Sequence, residues 1–180
     1  MITSMFLISI MIGSIDIVVI TGNDGHAFND TMVVRLYPNN TSANSPYTLP
    51  PLPIYPIENA AGVNTVDEEL IICGGKYPAT SSCFKFDEES WIWEKFTDMK
   101  TKRFEHAMTT NQADVLYVTG GTDEVNNDLS VAEKYEDGEW SSIKELPVTI
   151  RDHCLVSLSD NKLLNIGGWN KEIQKVSYDQ

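Results

Sequence analysis

The sequence has little positive charge. Its 180 residues contain 13 Lys and Arg against 26 Asp and Glu, which gives a net charge of −13 at pH 7. Such a surface repels phosphate backbones and anionic lipid head groups. We therefore expect neither nucleic acid nor a bare membrane as a partner. The same field attracts a basic protein or a cationic ligand, although acidity also serves solubility alone.

Long apolar runs are also missing. One run extends from Phe6 to Ile12, and continuing it to Ile20 would enclose Asp16. Because a helix needs roughly 20 apolar residues to cross a bilayer, the sequence predicts no membrane span. A short apolar run followed by small residues is instead typical of a signal peptide, although no Lys or Arg precedes it here. We predict a signal peptide over residues 1–14.

Cysteine is scarce, with three in the chain. Cys73 and Cys83 lie ten positions apart (83 − 73) across a predicted hairpin, and an oxidising compartment lets such a pair form a disulfide. Cys154 then has no assigned partner. The alternative is that all three are small buried apolar residues. We predict a Cys73–Cys83 disulfide, on the condition that the chain is exported.

Glycosylation sequons agree with export. Asn29, Asn39 and Asn40 each begin an Asn-X-Ser/Thr sequence in a Pro- and Asn-rich loop. Ala27 offers a second position for leader cleavage. We predict an extracellular location, with a cytoplasmic one as the alternative.

Motifs for catalysis are absent as well. The sequence has no nucleophile elbow, phosphate-binding glycine loop or zinc pattern. Glu105–His106 and Asp152–His153 each place a carboxylate beside an imidazole. Since both occupy the same position of two repeats, duplication explains them without a site. We predict no catalytic activity, no cofactor and no metal.

An internal repeat is the main positive feature. Three apolar runs end in paired glycines, at Gly74–Gly75, Gly120–Gly121 and Gly167–Gly168. The second glycines are 46 and 47 residues apart (121 − 75, 168 − 121), a period typical of four-stranded propeller blades. Further landmarks recur at a similar spacing: Phe86 and Tyr135, Trp93 and Trp140, Arg103 and Arg151. We interpret all of these as fold residues, in which glycine permits a tight turn and the aromatics pack between blades.

The repeat divides the chain after the leader into four units. Their approximate bounds are 15–58, 59–104, 105–151 and an incomplete 152–180. Short extended segments separated by polar turns predict strands at about 82–87, 92–97, 105–110 and 115–120. No stretch has a helical period, so we predict an all-β fold.

The order of the landmarks resembles the kelch motif of β-propellers. In the third unit the order is Gly120–Gly121, Tyr135, Trp140, Leu146–Pro147 and Arg151. The Cys73-Gly74-Gly75 start with Ser82-Cys83 is similar, more narrowly, to secreted invertebrate kelch-type proteins. The resemblance implies a radial array of four-stranded antiparallel blades, about six in number, that binds a protein partner through loops at one face or at the central channel.

The unit count predicts an incomplete, open arc of about three and a half blades. An open arc exposes apolar blade faces, so we expect association to cover them. Trp91 and Trp169 lie outside the landmark positions and are candidate binding anchors. For Trp169, packing against a further blade is the alternative.

Three functional hypotheses follow. The first is a secreted, non-catalytic scaffold for protein–protein recognition. The second is an intracellular kelch adaptor of a ubiquitin ligase or an actin-associated protein. The third is a fragment of a galactose-oxidase-like copper enzyme, which would need Tyr and His ligands around the axis.

Overall fold

The computed structural model describes residues 5–11, 14–20, 31–36, 47–54, 58–67, 69–76, 78–159 and 162–170. These residues form fourteen β-strands and no helix. Within this part of the chain, no helix is therefore long and apolar enough to span a membrane.

The strands form three four-stranded sheets and one hairpin, which we call blades 1 to 4. Blade 1 contains β1 (Met5–Met11), β2 (Ser14–Ile20), β3 (Thr31–Leu36) and β4 (Tyr47–Leu49). Blade 2 contains β5 (Ala61–Asn64), β6 (Leu70–Cys73), β7 (Cys83–Asp87) and β8 (Ile92–Phe96). Blade 3 contains β9 (Ala107–Thr110), β10 (Leu116–Thr119), β11 (Ala132–Glu136) and β12 (Glu139–Ser142), and blade 4 contains β13 (Cys154–Ser159) and β14 (Lys162–Ile166).

Each blade is an antiparallel meander in which strands adjacent in sequence are hydrogen-bonded neighbours. The first strands of successive blades, β1, β5, β9 and β13, contact one another in order. This contact places them along the inside of an open arc. The apolar strand Leu70–Cys73 is buried at all four positions, because neighbouring blades cover both faces of the sheet.

The core lies between blades. One cluster joins blades 1 and 2, and it contains Leu49, Leu52, Ala60, Leu70, Ile72, Phe84, Phe86 and Trp93. The other joins blades 2 and 3, and it contains Ala61, Val63, Ile71, Cys73, Cys83, Met99, Met108, Leu116, Val118 and Trp140.

The two landmark tryptophans close these interfaces. The Trp93 indole N–H donates to the Pro50 carbonyl at 2.7 Å, and that of Trp140 donates to the Thr97 carbonyl at 2.9 Å. Each indole therefore bonds to the segment that leaves the preceding blade.

The predicted strands of the second and third units coincide with β7 to β10 within two residues at each end. Blades 2 and 3 and the hairpin of blade 4 lie inside the predicted repeats. Blade 1 differs, because its first strand, Met5–Met11, lies in the predicted signal peptide and pairs with β2 along its full length. Removal of the leader stays a prediction. Ala27, Asn29, Asn39 and Asn40 lie outside the described residues.

Candidate binding surface

The paired glycines gather at one end of the arc. They follow β6, β10 and β14, the second strand of three successive blades, so their turns lie at the same end. The segments that lead into β5, β9 and β13 also finish there. We call this the glycine end. The opposite end contains the tight turns between the third and fourth strands of blades 2 and 3.

The glycines fit because the next blade leaves no room for a side chain. Gly74 has a φ of 69°, and a Cβ there would lie 2.5 Å from the Arg103 carbonyl oxygen. Gly120 has a φ of 60°, and its Cβ would lie 2.9 Å from His153 Cε1 and closer still to the Ile150 carbonyl oxygen. Gly74 and Gly120 are therefore contact points between blades as well as turn residues.

A row of three polar residues lies at the glycine end, immediately before the first strands. Asn59, Glu105 and Asp152 are 46 and 47 residues apart (105 − 59, 152 − 105), and all have positive φ angles, between 52° and 57°. The Glu105 N–H donates to the Asn59 carbonyl, and the Asp152 N–H donates to the Glu105 carbonyl, both at 2.9 Å. These backbone bonds join the three residues to one another across successive blades. We call these three residues the axial row.

Glu105 is the centre of a polar network. Its carboxylate accepts hydrogen bonds from Arg151 Nη1 at 2.8 Å, from the Thr122 hydroxyl at 3.2 Å and from Asn59 Nδ2 at 3.3 Å. The Arg151 guanidinium also lies over the Trp169 ring, 4.2 Å from its centroid. The network therefore links blades 2, 3 and 4 at the glycine end.

Negative charge accumulates beside this network. Asp152 is exposed on one side, while the protein shields the other side of its carboxyl group from water. This partial loss of solvation and the neighbouring Glu105 carboxylate raise the pKa of Asp152. Asp128 lies 3.3 Å from Arg151 Nε. One guanidinium thus faces several carboxylates, and a further cation would be favoured here.

A second arginine–carboxylate pair is wholly internal. Arg103 and Glu133 have no exposed side-chain surface, and Arg103 Nη2 donates to Glu133 Oε1 at 2.6 Å. Glu133 also accepts from the backbone N–H groups of Lys100 and Thr101. Burial lowers the pKa of Arg103, and the charge of Glu133 opposes that shift. This pair fixes the segment after blade 2 to blade 3.

Glu133 had no signal in the sequence. Glu133 lies two positions before the landmark Tyr135. The equivalent position in blade 2, two before the landmark Phe86, is Phe84. A search for recurring residues therefore passes over it. A buried charge that appears in one repeat only is visible in three dimensions alone.

His106 and His153 lie inside, away from the carboxylates next to them in sequence. Burial, assisted by the positive charge of Arg103, lowers the pKa of His106 well below its usual value. The same causes lower the pKa of His153 to about 4, and His153 Nε2 is 2.8 Å from the Thr119 hydroxyl. Both rings are neutral near pH 7 and pack between blades. The structure does not bring either carboxylate–histidine pair together as an acid–base dyad.

Comparison with known proteins identifies the architecture. The solved structure of YjhT superposes with a TM-score of 0.72 and 14% sequence identity, over 97% of this chain and 61% of that chain. YjhT is a kelch-type propeller protein. The described part of the chain has the fold of a kelch-type β-propeller, of which it forms an open arc.

Sequence comparison gives a shorter match. Alpha-scruin of Limulus polyphemus is 33% identical over 75 residues, which is 41% of this chain and 8% of alpha-scruin. No model of a known protein family matches the sequence. The chain thus spans less than two thirds of either of these proteins.

The two candidate anchors lie at opposite ends of the propeller arc. Trp169 is at the glycine end, half-buried, and stacked on Arg151. Trp91 is in the turn between β7 and β8, with 46% of its surface exposed and its ring 5.1 Å from that of Phe86. The structure therefore does not combine the two anchors in one surface.

The structure contains the predicted disulfide. Cys73 and Cys83 face each other on β6 and β7 and form a disulfide. Cys154, on β13, is a free and exposed thiol. Among the described residues, no group of three or more His, Cys, Asp and Glu side chains is arranged to hold a metal ion.

Proposed function

We propose that this chain is a non-catalytic scaffold for protein recognition and that it binds its partner at the glycine end. The network of Glu105, Arg151 and Trp169 supports this proposal, because it combines an aromatic ring with charged groups held rigidly by the blades. Arg and Trp are the residue types that dominate binding energy at protein interfaces. Rigid elements beneath a polar surface reduce the entropy lost on binding.

The partner presents a basic segment to this surface. The net charge of −13 attracts such a segment over a distance. At the contact, the exposed Asp152 carboxylate and the Trp169 ring offer an ion pair and a cation–π contact to Lys or Arg.

Site-specific cross-linking tests the location. A photo-reactive amino acid replaces Val125, which is 67% exposed in the loop between Thr122 and Asp128, or Val66, which is 57% exposed in the β5–β6 turn at the opposite end. With extracellular proteins as prey, we expect a specific adduct from position 125 and none from position 66.

The double variant Trp169→Ala, Asp152→Asn provides the functional control. It should lose the position-125 adduct while Trp91→Ala keeps it, since Trp91 lies at the other end. An adduct that forms equally from position 66, or one that survives the double variant, would contradict binding at the glycine end.

We further propose that the protein is extracellular. The Cys73–Cys83 disulfide supports this location, because disulfides persist mainly in oxidising compartments. The sequons at Asn29, Asn39 and Asn40 agree with it. Removal of residues 1–14 would take away β1 and leave β2 as the inner strand of blade 1.

Intact mass of the chain from a secretory host tests this location. The expected result is loss of the N-terminal segment, a mass decrease on glycosidase treatment and one thiol available for alkylation before reduction. An unglycosylated chain with three free thiols would instead support a cytoplasmic protein. A glycosylated chain that retains Met5–Met11 would show export without removal of β1.

A further inference from the structure

The loop that follows Gly121 at the glycine end is longer than its equivalent in blade 2. In blade 2, four residues separate Gly75 from Thr80 (80 − 75 − 1), and the Thr80 N–H donates to the Gly75 carbonyl. In blade 3, seven residues separate Gly121 from Leu129 (129 − 121 − 1), and the Leu129 N–H makes the same bond to Gly121. Blade 3 therefore carries three additional residues here (7 − 4).

The longer loop folds into a short hairpin. Thr122 and Asp128 pair as an antiparallel β-bridge at its base. Above this bridge, the Asp123 N–H donates to the Asn127 carbonyl at 3.0 Å. We call residues 122–128 the blade 3 hairpin.

The side chain of Asp123 holds the tip of the hairpin. Its Oδ1 accepts hydrogen bonds from the backbone N–H of Val125 at 2.9 Å and from that of Asn127 at 2.8 Å. Its Oδ2 accepts a bond from Asn127 Nδ2 at 3.0 Å. Because one carboxylate bonds to the backbone on both sides of the tip, the tip has a preformed conformation.

Val125 is the apolar residue at this tip. Its exposed fraction of 67% is the largest among the exposed large hydrophobic side chains in the part of the chain that the structure describes. The base of the hairpin contacts the polar network, because the Thr122 hydroxyl donates to Glu105 and Asp128 lies 3.3 Å from Arg151 Nε. The hairpin thus holds an aliphatic side chain in water beside the charged groups of the candidate binding surface.

We propose that the blade 3 hairpin determines which basic partner binds, an inference that rests on the function proposed above. The partner is a folded protein that places an apolar recess over Val125 while its Lys or Arg meets Asp152. A side chain that is already held rigidly loses little entropy when a recess covers it. A flexible basic tail has no preformed recess, so it would gain from the charges alone.

Photo-cross-linking from position 102 tests this proposal. The Lys102 side chain is 57% exposed and pairs with Glu124 of the hairpin at 3.1 Å, so a photo-reactive amino acid there lies beside the tip. With extracellular proteins as prey, Val125→Ser should raise the chain concentration for half-maximal adduct formation by about tenfold or more, because the apolar contact is lost. Val66→Ser, 57% exposed at the opposite end, should leave this concentration unchanged.

Two substitutions of Asp123 separate its positioning role from its charge. In Asp123→Asn, the amide oxygen can accept the same backbone hydrogen bonds, so adduct formation should be kept. Asp123→Ala releases the tip and should weaken adduct formation as Val125→Ser does. Hydrogen exchange at the Val125 and Asn127 amides should be faster in the Ala variant only. Circular dichroism checks that each variant is folded.

A synthetic oligolysine separates the role of the hairpin from the proposed function. Its binding should be unchanged by Val125→Ser and weakened by the double variant Trp169→Ala, Asp152→Asn, because an unfolded basic chain uses the charged surface alone. Weaker oligolysine binding in Val125→Ser would overturn the requirement for a folded partner.

The adduct itself decides the remaining outcomes. An adduct that is indifferent to Val125→Ser, or equal losses in the Asn and Ala variants of Asp123, would overturn the role of the hairpin while leaving the glycine end as the binding surface. No adduct from position 102 would also overturn it. If position 125 gave none either, the proposed function would be wrong as well.

Discussion

At the scale of single residues, glycine is required for two separable reasons. Gly120 combines a positive φ with a site that the next blade fills. Gly138, in the β11–β12 turn, has a φ of 87° but nothing within 4 Å of its Cβ position. The two residues therefore separate backbone strain from steric overlap.

Gly120→Ala should destabilise the fold by about 3 kcal/mol or more, because strain and overlap with Ile150 and His153 add. Gly138→Ala should cost only about 1 kcal/mol, from strain alone. Urea unfolding of the two variants measures the difference. Equal losses would show that the blade contact at Gly120 relaxes without cost.

Because His153 is buried, the stability of the fold should decrease as the pH falls. The folded pKa of His153, about 4, is below the usual value of 6.5, so the fold favours the neutral ring. Its contribution is fully present above about pH 6.5 and is lost as the pH falls to about 4, by roughly 3 kcal/mol. Urea unfolding at several pH values should show a steeper loss for the native chain than for His153→Gln. Parallel pH profiles would refute the assignment.

At the scale of elements, a buried ion pair joins the segment after blade 2 to strand β11. Glu133→Gln keeps the side-chain shape but leaves the Arg103 charge uncompensated, so we expect a loss of about 3 to 5 kcal/mol. Glu136→Gln, three residues along the same strand, breaks only the exposed pair with Lys134 and should cost less than about 1 kcal/mol. Thermal unfolding of the two variants checks the contrast, and similar melting temperatures would contradict it.

The disulfide is a second element-scale constraint. It joins β6 to β7 across a short loop, and replacing both Cys73 and Cys83 with Ala should destabilise the fold by about 2 to 3 kcal/mol. Urea unfolding of the double variant measures this loss. Because both sulfurs are buried in the cluster between blades 2 and 3, part of the loss reflects packing. Cys154→Ser, at the free thiol, is the control and should have little effect.

At the scale of the whole molecule, the described blades form a linear array in which each contacts its neighbours in sequence. Trp93 and Trp140 belong to different clusters, one on each side of blade 2. Trp93→Phe and Trp140→Phe should each cost about 2 kcal/mol, through the lost indole hydrogen bond and packing.

The effects of the two Trp substitutions should be additive to within about 0.5 kcal/mol, because stability in such an array is a sum of local terms. The double variant in urea unfolding measures the coupling. A coupling energy well above this limit would show that blade 2 transmits changes from one interface to the other.

The sequence alone indicated the repeat, the strand positions of blades 2 and 3 and the kelch-type fold, and it predicted the disulfide on the condition that the chain is exported. These features were accessible because each depends on residues close in sequence or on a residue type that recurs at a fixed spacing. Gly74, Trp93 and Arg103 could be recognised because Gly120, Trp140 and Arg151 repeat them.

Only the tertiary structure decided how the surfaces are composed. The axial row has three different residue types, Asn59, Glu105 and Asp152. The three share a position and a positive φ angle, but because no residue type recurs there, the sequence repeat does not reveal them. Glu105 meets Arg151 across 46 residues because the arc brings successive blades to one axis. Contacts of this kind depend on how each blade packs against the next. The sequence of a single blade does not specify that packing.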